Sequence, residues 1–324
     1  MKICILGSGA FAISLGLVLS DNKHEVVLWT KFADEANYLN RNRMSPTLPN
    51  VVVDEEIKVS TNLEESINNS ELIIVAVPAG AVRSVFEEAS KYIINKQHIC
   101  IASKGIEQET CKFVSDVIEE YIPVNNLCVI SGPTFAIDVA NKVPVGLSIA
   151  SKNNNTIDIV KSALQNNYVK LRETNDIIGV ELCGSIKNVM AIASGMLAGM
   201  NLPISTQAML ITELANDIKH LIDDLGGNPK TIASFAGFGD ILLTCTSSKS
   251  RNFTLGHLIG AKSKKKEITN YIKTNTIEGL YTLASISKLI KIKNIDMPII
   301  NILNDIIYND RPVEDLLTFL IEKK

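Results

Sequence analysis

The six residues Gly7-Ser8-Gly9-Ala10-Phe11-Ala12 restrict this chain more than any other stretch, because of what stands on either side of them. Lys2 to Leu6 is a short apolar run of strand character. Ile13 to Ser20 reads as a buried helix that turns at Asp21-Asn22-Lys23 into a second strand, His24 to Trp29. G-x-G-x-x-A between a strand and a helix is a dinucleotide fingerprint: Gly7 permits the tight turn, Gly9 lets backbone approach a pyrophosphate, and Ala12 lets the helix pack close to the strand. Phosphate then rests on the free N–H groups and the positive end of that helix. Met1-Lys2 and the apolar run behind it also resemble a signal peptide, but two glycines and the Asp21-Asn22 turn fit a strand, a turn and a helix better.

The second strand ends in Trp29-Thr30-Lys31, where an acidic residue would bond the ribose 2′-hydroxyl of NAD. Nothing at those positions repels a 2′-phosphate, and Lys31, with Arg41 or Arg43 as further candidates, is able to attract one. NADP is therefore as admissible as NAD, and Lys31 as a solvated loop residue is equally admissible. Ile57 to Ser60, Glu71 to Val77, Gln97 to Ala102 and Leu127 to Ser131 are further apolar runs, separated by helical segments such as Ala81 to Ile94. That alternation predicts a parallel sheet with helices on both faces. Val143 to Ala150 and Tyr168 to Arg172 extend it before the chain leaves this domain near Thr174. Three strand ends carry chemistry. Val77-Pro78 closes a strand where ligands bind in doubly wound sheets. Lys104, in Ser103-Lys104-Gly105, is placed to reach an anionic or hydroxylated substrate, unless it is surface decoration. Gly132-Pro133-Thr134-Phe135-Ala136 offers backbone donors and one hydroxyl at the same edge.

From Asp176 strand signals vanish. Asp176 to Met200, after the start signal Thr174/Asp176, is rich in Ala, Leu, Met and small residues, and predicts a helix apolar on nearly every face, hence buried. Lys187 sits in the middle of it. A buried ammonium must find partners or lose its proton, because desolvation disfavours the charged form. The alternative is a lysine whose stem crosses apolar surface and whose head reaches water. Helical patterning continues over Thr206 to Leu225, Ile241 to Thr244, Asn252 to Leu258, Glu278 to Lys291, Met297 to Asn309 and Pro312 to Ile321, which predicts an all-α second domain. Asp240, after the glycines of Ala236-Gly237-Phe238-Gly239, either caps a helix or places a carboxylate in a site. Arg251, between Ser250 and Asn252, has the planar fork suited to a phosphate dianion, or pairs with a helix carboxylate at the surface. Lys262 to Lys266 reads as a solvated polar turn.

At 324 residues the chain is long enough for two domains, 1–175 and 176–324. A net charge of −3 with 21% charged residues suggests neither a nucleic-acid partner nor a membrane surface, and beyond the N-terminal stretch no apolar run reads as long enough to span a bilayer. Cys4, Cys100, Cys111, Cys128, Cys183 and Cys245 form no C-x-x-C pair, as expected of reduced thiols in a cytoplasmic protein.

In order and spacing, these segments together resemble the bacterial NAD(P)-dependent glycerol-3-phosphate dehydrogenase family along nearly the whole chain. The carrying residues are Gly7 to Ala12, Ser103 to Gly105, Ser131 to Ala136, Gly184 to Asn188, Ala236 to Asp240, Ser250 to Asn252 and Ile277 to Gly279. The resemblance implies an α/β Rossmann-type N-terminal domain joined to an all-α domain of the 6-phosphogluconate dehydrogenase kind. It implies Lys187 as proton acceptor, with Lys104, Gly132, Thr134, Asp240, Ser250, Arg251 and Asn252 around a small phosphorylated substrate. It further implies Ala10, Phe11, Lys31, Lys104, Ala136, Arg251, Thr276 and Glu278 against NAD or NADP, beside Gly7, Gly9 and Ala12 of the fingerprint. No metal is implied. The expected activity interconverts sn-glycerol 3-phosphate and dihydroxyacetone phosphate, for phospholipid synthesis. Family members often have Ser-Tyr or Ser-Trp where this chain has Ala10-Phe11, and His or Arg in place of Lys31, which leaves the NAD/NADP balance open. Many dimerise, and the apolar run Met297 to Tyr308 fits a subunit contact or core packing equally. Two rivals remain on the same scaffold: a β-hydroxyacid dehydrogenase, which the Ser250-Arg251-Asn252 loop disfavours, and a catalytically silent nicotinamide sensor, which Lys187 and Asp240 disfavour.

Overall fold

A computed structural model describes residues 1–123 and 125–323. The chain forms two compact units, residues 1–104 with 114–180, and residues 105–113 with 181–324.

The first unit is built on one eight-stranded sheet: β1 (Lys2–Leu6), β2 (Glu25–Trp29), β3 (Lys58–Ser60), β4 (Leu72–Val75), β5 (His98–Ile101), β6 (Leu127–Ser131), β7 (Val145–Ala150) and β8 (Val169–Thr174), in the order β3-β2-β1-β4-β5-β6-β7-β8. The central strands are buried on both faces, which is why KICIL, LIIV and HICI read as continuous apolar runs. β8 alternates buried and exposed residues at its start, as a strand with one wet face does. The expected parallel order holds from β3 through β6. β7 departs from it, running antiparallel to β6 with Ser131 opposite Ser148, and β8 then pairs parallel to β7. Strand order turns back between β1 and β4, the place where doubly wound sheets bind ligands.

Helices cover this sheet. Ala10–Asp21 begins three residues earlier than its apolar pattern predicts and buries Ala12, Leu15 and Leu19 against Ile3, Ile5 and Leu28. Cys100 and Cys128 are in register on adjacent strands, and all six cysteines are buried and outside any disulfide. Burial pushes the Cys4 thiol up to about 12 and raises those of Cys128 and Cys245, so these thiols stay protonated.

The second unit is helical. From Glu181 on it includes the long helix Ile177–Gly199, whose first turn, still in the first unit, is held by Gly179 N–H donating to Asp176 Oδ1 at 3.0 Å. Contrary to the sequence reading, this helix is long and apolar enough to cross a bilayer by length and composition, yet 89% of its most apolar window is buried inside the protein. Two glycines on it, Gly195 and Gly199, face two on Arg251–Gly260, Gly256 and Gly260. A Cβ at any of the four would stand 2.0–2.2 Å from a main-chain oxygen of the opposite helix, so the two helices meet backbone on backbone. Pro298–Tyr308 turns Ile299, Ile300, Ile302, Leu303 and Ile306 inward, so packing within the chain accounts for its apolar face. Of Lys262 to Lys266, expected as a polar turn, only the last two residues are helical: they open Lys265–Thr274, a helix with no buried residue, which is why no apolar stripe marked it.

Candidate active site

Gly7 closes β1 at φ +129, a conformation that L side chains rarely adopt, and a Cβ there would meet the Ala76 carbonyl at 2.9 Å. Gly9 is the cap residue of the first helix; no side chain caps it, and a Cβ built on Gly9 has nothing within 4 Å. The helix N-terminus therefore opens onto free space just past the strand reversal, as a pyrophosphate cradle requires. Ala10 and Phe11 are half-buried beside it, and Ala12 is packed inside. Ser14 donates to the carbonyls of Ala10 and Ala136, at 2.9 and 2.7 Å, and so fastens the Ala136–Ala140 helix to the first one. At the end of β6, Thr134 Oγ1 donates to the Gly132 carbonyl at 3.3 Å. Gly132 itself is demanded by packing, since a Cβ would stand 2.5 Å from the Gly146 carbonyl on β7.

The tip of β2 differs from its sequence reading. Thr30 Oγ1 donates to Glu35 Oε2 at 2.8 Å, which brings a carboxylate to the place judged free of negative charge. Lys31 is exposed, its ammonium 5.1 Å from the centroid of the Phe32 ring. Arg41 is exposed, whereas Arg43 spends its guanidinium on the Ile57 carbonyl at 2.7 Å and is committed to structure. Glu35 was legible only as an acidic residue in the first turn of Ala33–Asn42.

In the helical unit, Lys187 is buried, and its ammonium forms an ion pair with Asp240, whose side chain is wholly enclosed. The desolvation that a lone ammonium would suffer is thus met by a carboxylate. Gly239, not Asp240, holds the cap position of Asp240–Cys245, and the Asp240 carboxylate turns toward the lysine. Thr244 Oγ1 donates to the Asp240 carbonyl at 2.6 Å and reaches its Oδ1 at 3.4 Å, a contact the sequence reading passed over.

One residue on, a closed polar circuit begins. Asn188 donates to Glu278 Oε2 at 3.1 Å, Asn252 donates to Asn188 Oδ1 at 3.0 Å, and Gly279 N–H donates to Asn252 Oδ1 at 2.9 Å. The circuit joins three helices, Ile177–Gly199, Arg251–Gly260 and Glu278–Lys293. Ser250 caps the second of these by accepting from Phe253 N–H at 3.3 Å. Arg251, its first residue, is exposed, and Thr276 is exposed just ahead of Glu278. Together the structure brings Lys187, Asp240, Asn252 and Glu278 onto one helical framework, with an arginine at a helix N-terminus where an anion is doubly favoured. Lys104 is half-buried at the last position of the first unit before Gly105.

Residues 2–157 match the family model described as the NAD-dependent glycerol-3-phosphate dehydrogenase N-terminus, and residues 176–318 match that of the C-terminus. The chain is 36% identical to a protein named glycerol-3-phosphate dehydrogenase (NAD(P)+) of Staphylococcus haemolyticus, over 97% of this chain and 96% of that one. It is 34% identical to a protein of the same name from Leptospira biflexa, over 100% and 98%. The crystal structure of glycerol-3-phosphate dehydrogenase from Coxiella burnetii superposes with a TM-score of 0.93 at 31% identity, covering 99% of this chain and 98% of that one. Fingerprint, ion pair and full-length likeness agree, and the chain belongs to the NAD-dependent glycerol-3-phosphate dehydrogenase family.

Proposed function

We propose that the protein interconverts sn-glycerol 3-phosphate and dihydroxyacetone phosphate with NAD or NADP, supplying glycerol 3-phosphate for phospholipid synthesis in the cytoplasm. The nicotinamide supplies or accepts the hydride. The observation that carries the reading is the buried Lys187–Asp240 ion pair, on a chain whose other unit opens a glycine-lined cradle at a helix N-terminus. Lys187, charged in that pair, donates its proton to the C2 oxygen as dihydroxyacetone phosphate is reduced, and takes it back in oxidation. Asp240 holds the amine in place and balances its charge through the exchange.

Arg251 grips the substrate phosphate with its planar fork, so that binding energy far from C2 holds C2 in position. Lys104, Gly132, Thr134, Ser250 and Asn252 complete the substrate shell. Ser250 and Asn252 serve through their main chain and through the geometry they hold, because their side chains are engaged in the helix cap and the polar circuit. Gly7, Gly9, Ala10, Phe11, Ala12, Lys31, Ala136, Thr276 and Glu278 hold the cofactor. Six buried cysteines held as thiols rather than disulfides support a reducing compartment.

The test follows NADH and NADPH absorbance with dihydroxyacetone phosphate and, separately, with a 3-oxo acid, the substrate that a β-hydroxyacid dehydrogenase would reduce. Lys187→Ala should keep cofactor binding and lose turnover; a variant that still turns over removes the proposed proton carrier.

A further inference from the structure

Residues 105–113 leave the strand-bearing unit directly after Lys104 and lie within the helical unit. The segment closes on itself, with Ile106 bridged to Phe113 and Cys111 N–H donating to the Glu107 carbonyl at 3.0 Å. Three contacts pin it to the helices around it. Gly105 N–H donates to Ser185 Oγ at 3.0 Å, Ser285 Oγ donates to the Ile106 carbonyl at 3.2 Å, and Lys288 Nζ donates to the Glu109 carbonyl at 2.7 Å. Gly105 holds φ +136, so a side chain at that position would be strained. Ser185 is fully buried, donates its own proton to the Glu181 carbonyl at 2.7 Å, and stands two residues before Lys187 on the same helix. A hydroxyl in mid-helix already has that carbonyl to bond; what this one adds is an acceptor aimed at a neighbouring main chain.

We propose that Ser185 is a positioning residue of the reaction. By accepting the Gly105 N–H it fixes the residue that follows Lys104 to the helix that carries Lys187, so that the main chain leaving Lys104 keeps one course while substrate is bound. The inference rests on the reading of Lys104 as a substrate contact. Ser285 is the second anchor of the same strap and acts in the same sense.

The test is a double-mutant cycle on the full-length enzyme, reading kcat and KM for dihydroxyacetone phosphate separately. Ser185→Ala leaves the buried Gly105 N–H without its acceptor and should lower kcat/KM roughly tenfold, the scale of one lost buried hydrogen bond. In the Lys104→Ala background the same substitution should change kcat/KM by less than about twofold, because there is no ammonium left to misplace. Losses that multiply, or a Ser185→Ala enzyme with unaltered kcat/KM, overturn the inference while leaving Lys104 its substrate role. A Lys104→Ala enzyme with undiminished kcat/KM removes that role and the inference with it. If Ser185→Ala does not fold, Ser285→Ala with Lys104→Ala runs the same cycle and is judged by the same outcomes.

Discussion

The Lys187 ammonium and the Asp240 carboxylate stand 53 residues apart in sequence and form an ion pair in which the two side chains keep only 9% and 0% of their surface. Breaking such a pair from one side costs about 3–5 kcal/mol, since it strands the other charge in the interior. Asp240→Asn should therefore lower the unfolding midpoint markedly. It should also lower the rate of dihydroxyacetone phosphate reduction, because the amine loses the carboxylate that holds it in place. Replacing both partners, Lys187→Met with Asp240→Leu, should restore much of the stability and none of the turnover. Thermal melts and initial rates read both effects.

Two glycine substitutions should separate ligand binding from folding. Gly9→Ala adds a methyl group where nothing stands within 4 Å, so its melting temperature should match the wild type while KM for the cofactor rises. Gly256→Ala drives a Cβ to 2.0 Å from the Ile192 carbonyl, and overpacking of that kind costs about 1–3 kcal/mol or more. A urea titration should show the loss for Gly256→Ala alone.

Cofactor choice should respond to Glu35. A carboxylate held by Thr30 at the end of β2 suits a ribose 2′-hydroxyl and opposes a 2′-phosphate, against the pull of Lys31. Glu35→Gln should raise the NADPH to NADH ratio of kcat/KM by roughly fivefold, the worth of about 1 kcal/mol, and Lys31→Ala should lower it. An unchanged ratio in both variants would place the discriminating contact elsewhere.

Acid should weaken the fold in two stages. Burial lowers the His98 ring below the ordinary histidine value, and burial together with the N-terminal ammonium lowers His24. A folded value below the unfolded one means that the neutral ring is preferred in the native state. That contribution is complete above about pH 6.5 and is lost as pH falls through the folded values. Asp21 acts further down. Burial works to raise its carboxyl, but hydrogen bonds from Lys142 and Tyr168 outweigh it and hold the group below the usual range. Its contribution is present above about pH 3.9 and goes in stronger acid. Melting temperatures from pH 7.5 to 3 should show the first stage reduced in His98→Gln and the second in Tyr168→Phe. A His98→Gln curve parallel to the wild type would exclude the ring.

The fingerprint and the buried helix were legible because each is local. Gly7 to Ala12 carries its turn chemistry within six residues, and Lys187 announces itself as the one cation in an apolar run. What stayed hidden depends on distance along the chain. Asn188 meets residues 64 and 90 positions away, and no spacing rule points from one to the others. Strand direction leaves no mark either, so β7 gave no sign that it turns against β6. Gly105 read only as the close of a strand, and neither its positive φ nor its bond to Ser185, 80 residues on, left a mark in the sequence. Asp240 was balanced between cap and function until Gly239 was seen to hold the cap position.

The seam of Gly195, Gly199, Gly256 and Gly260 carries a last consequence. With carbonyl oxygens where side chains would ordinarily interdigitate, there is no cushion that rotamer changes could take up. Lys187 and Arg251 therefore ride on a single stiff girder, and heat or denaturant should silence both at one midpoint rather than leave a half-working enzyme behind.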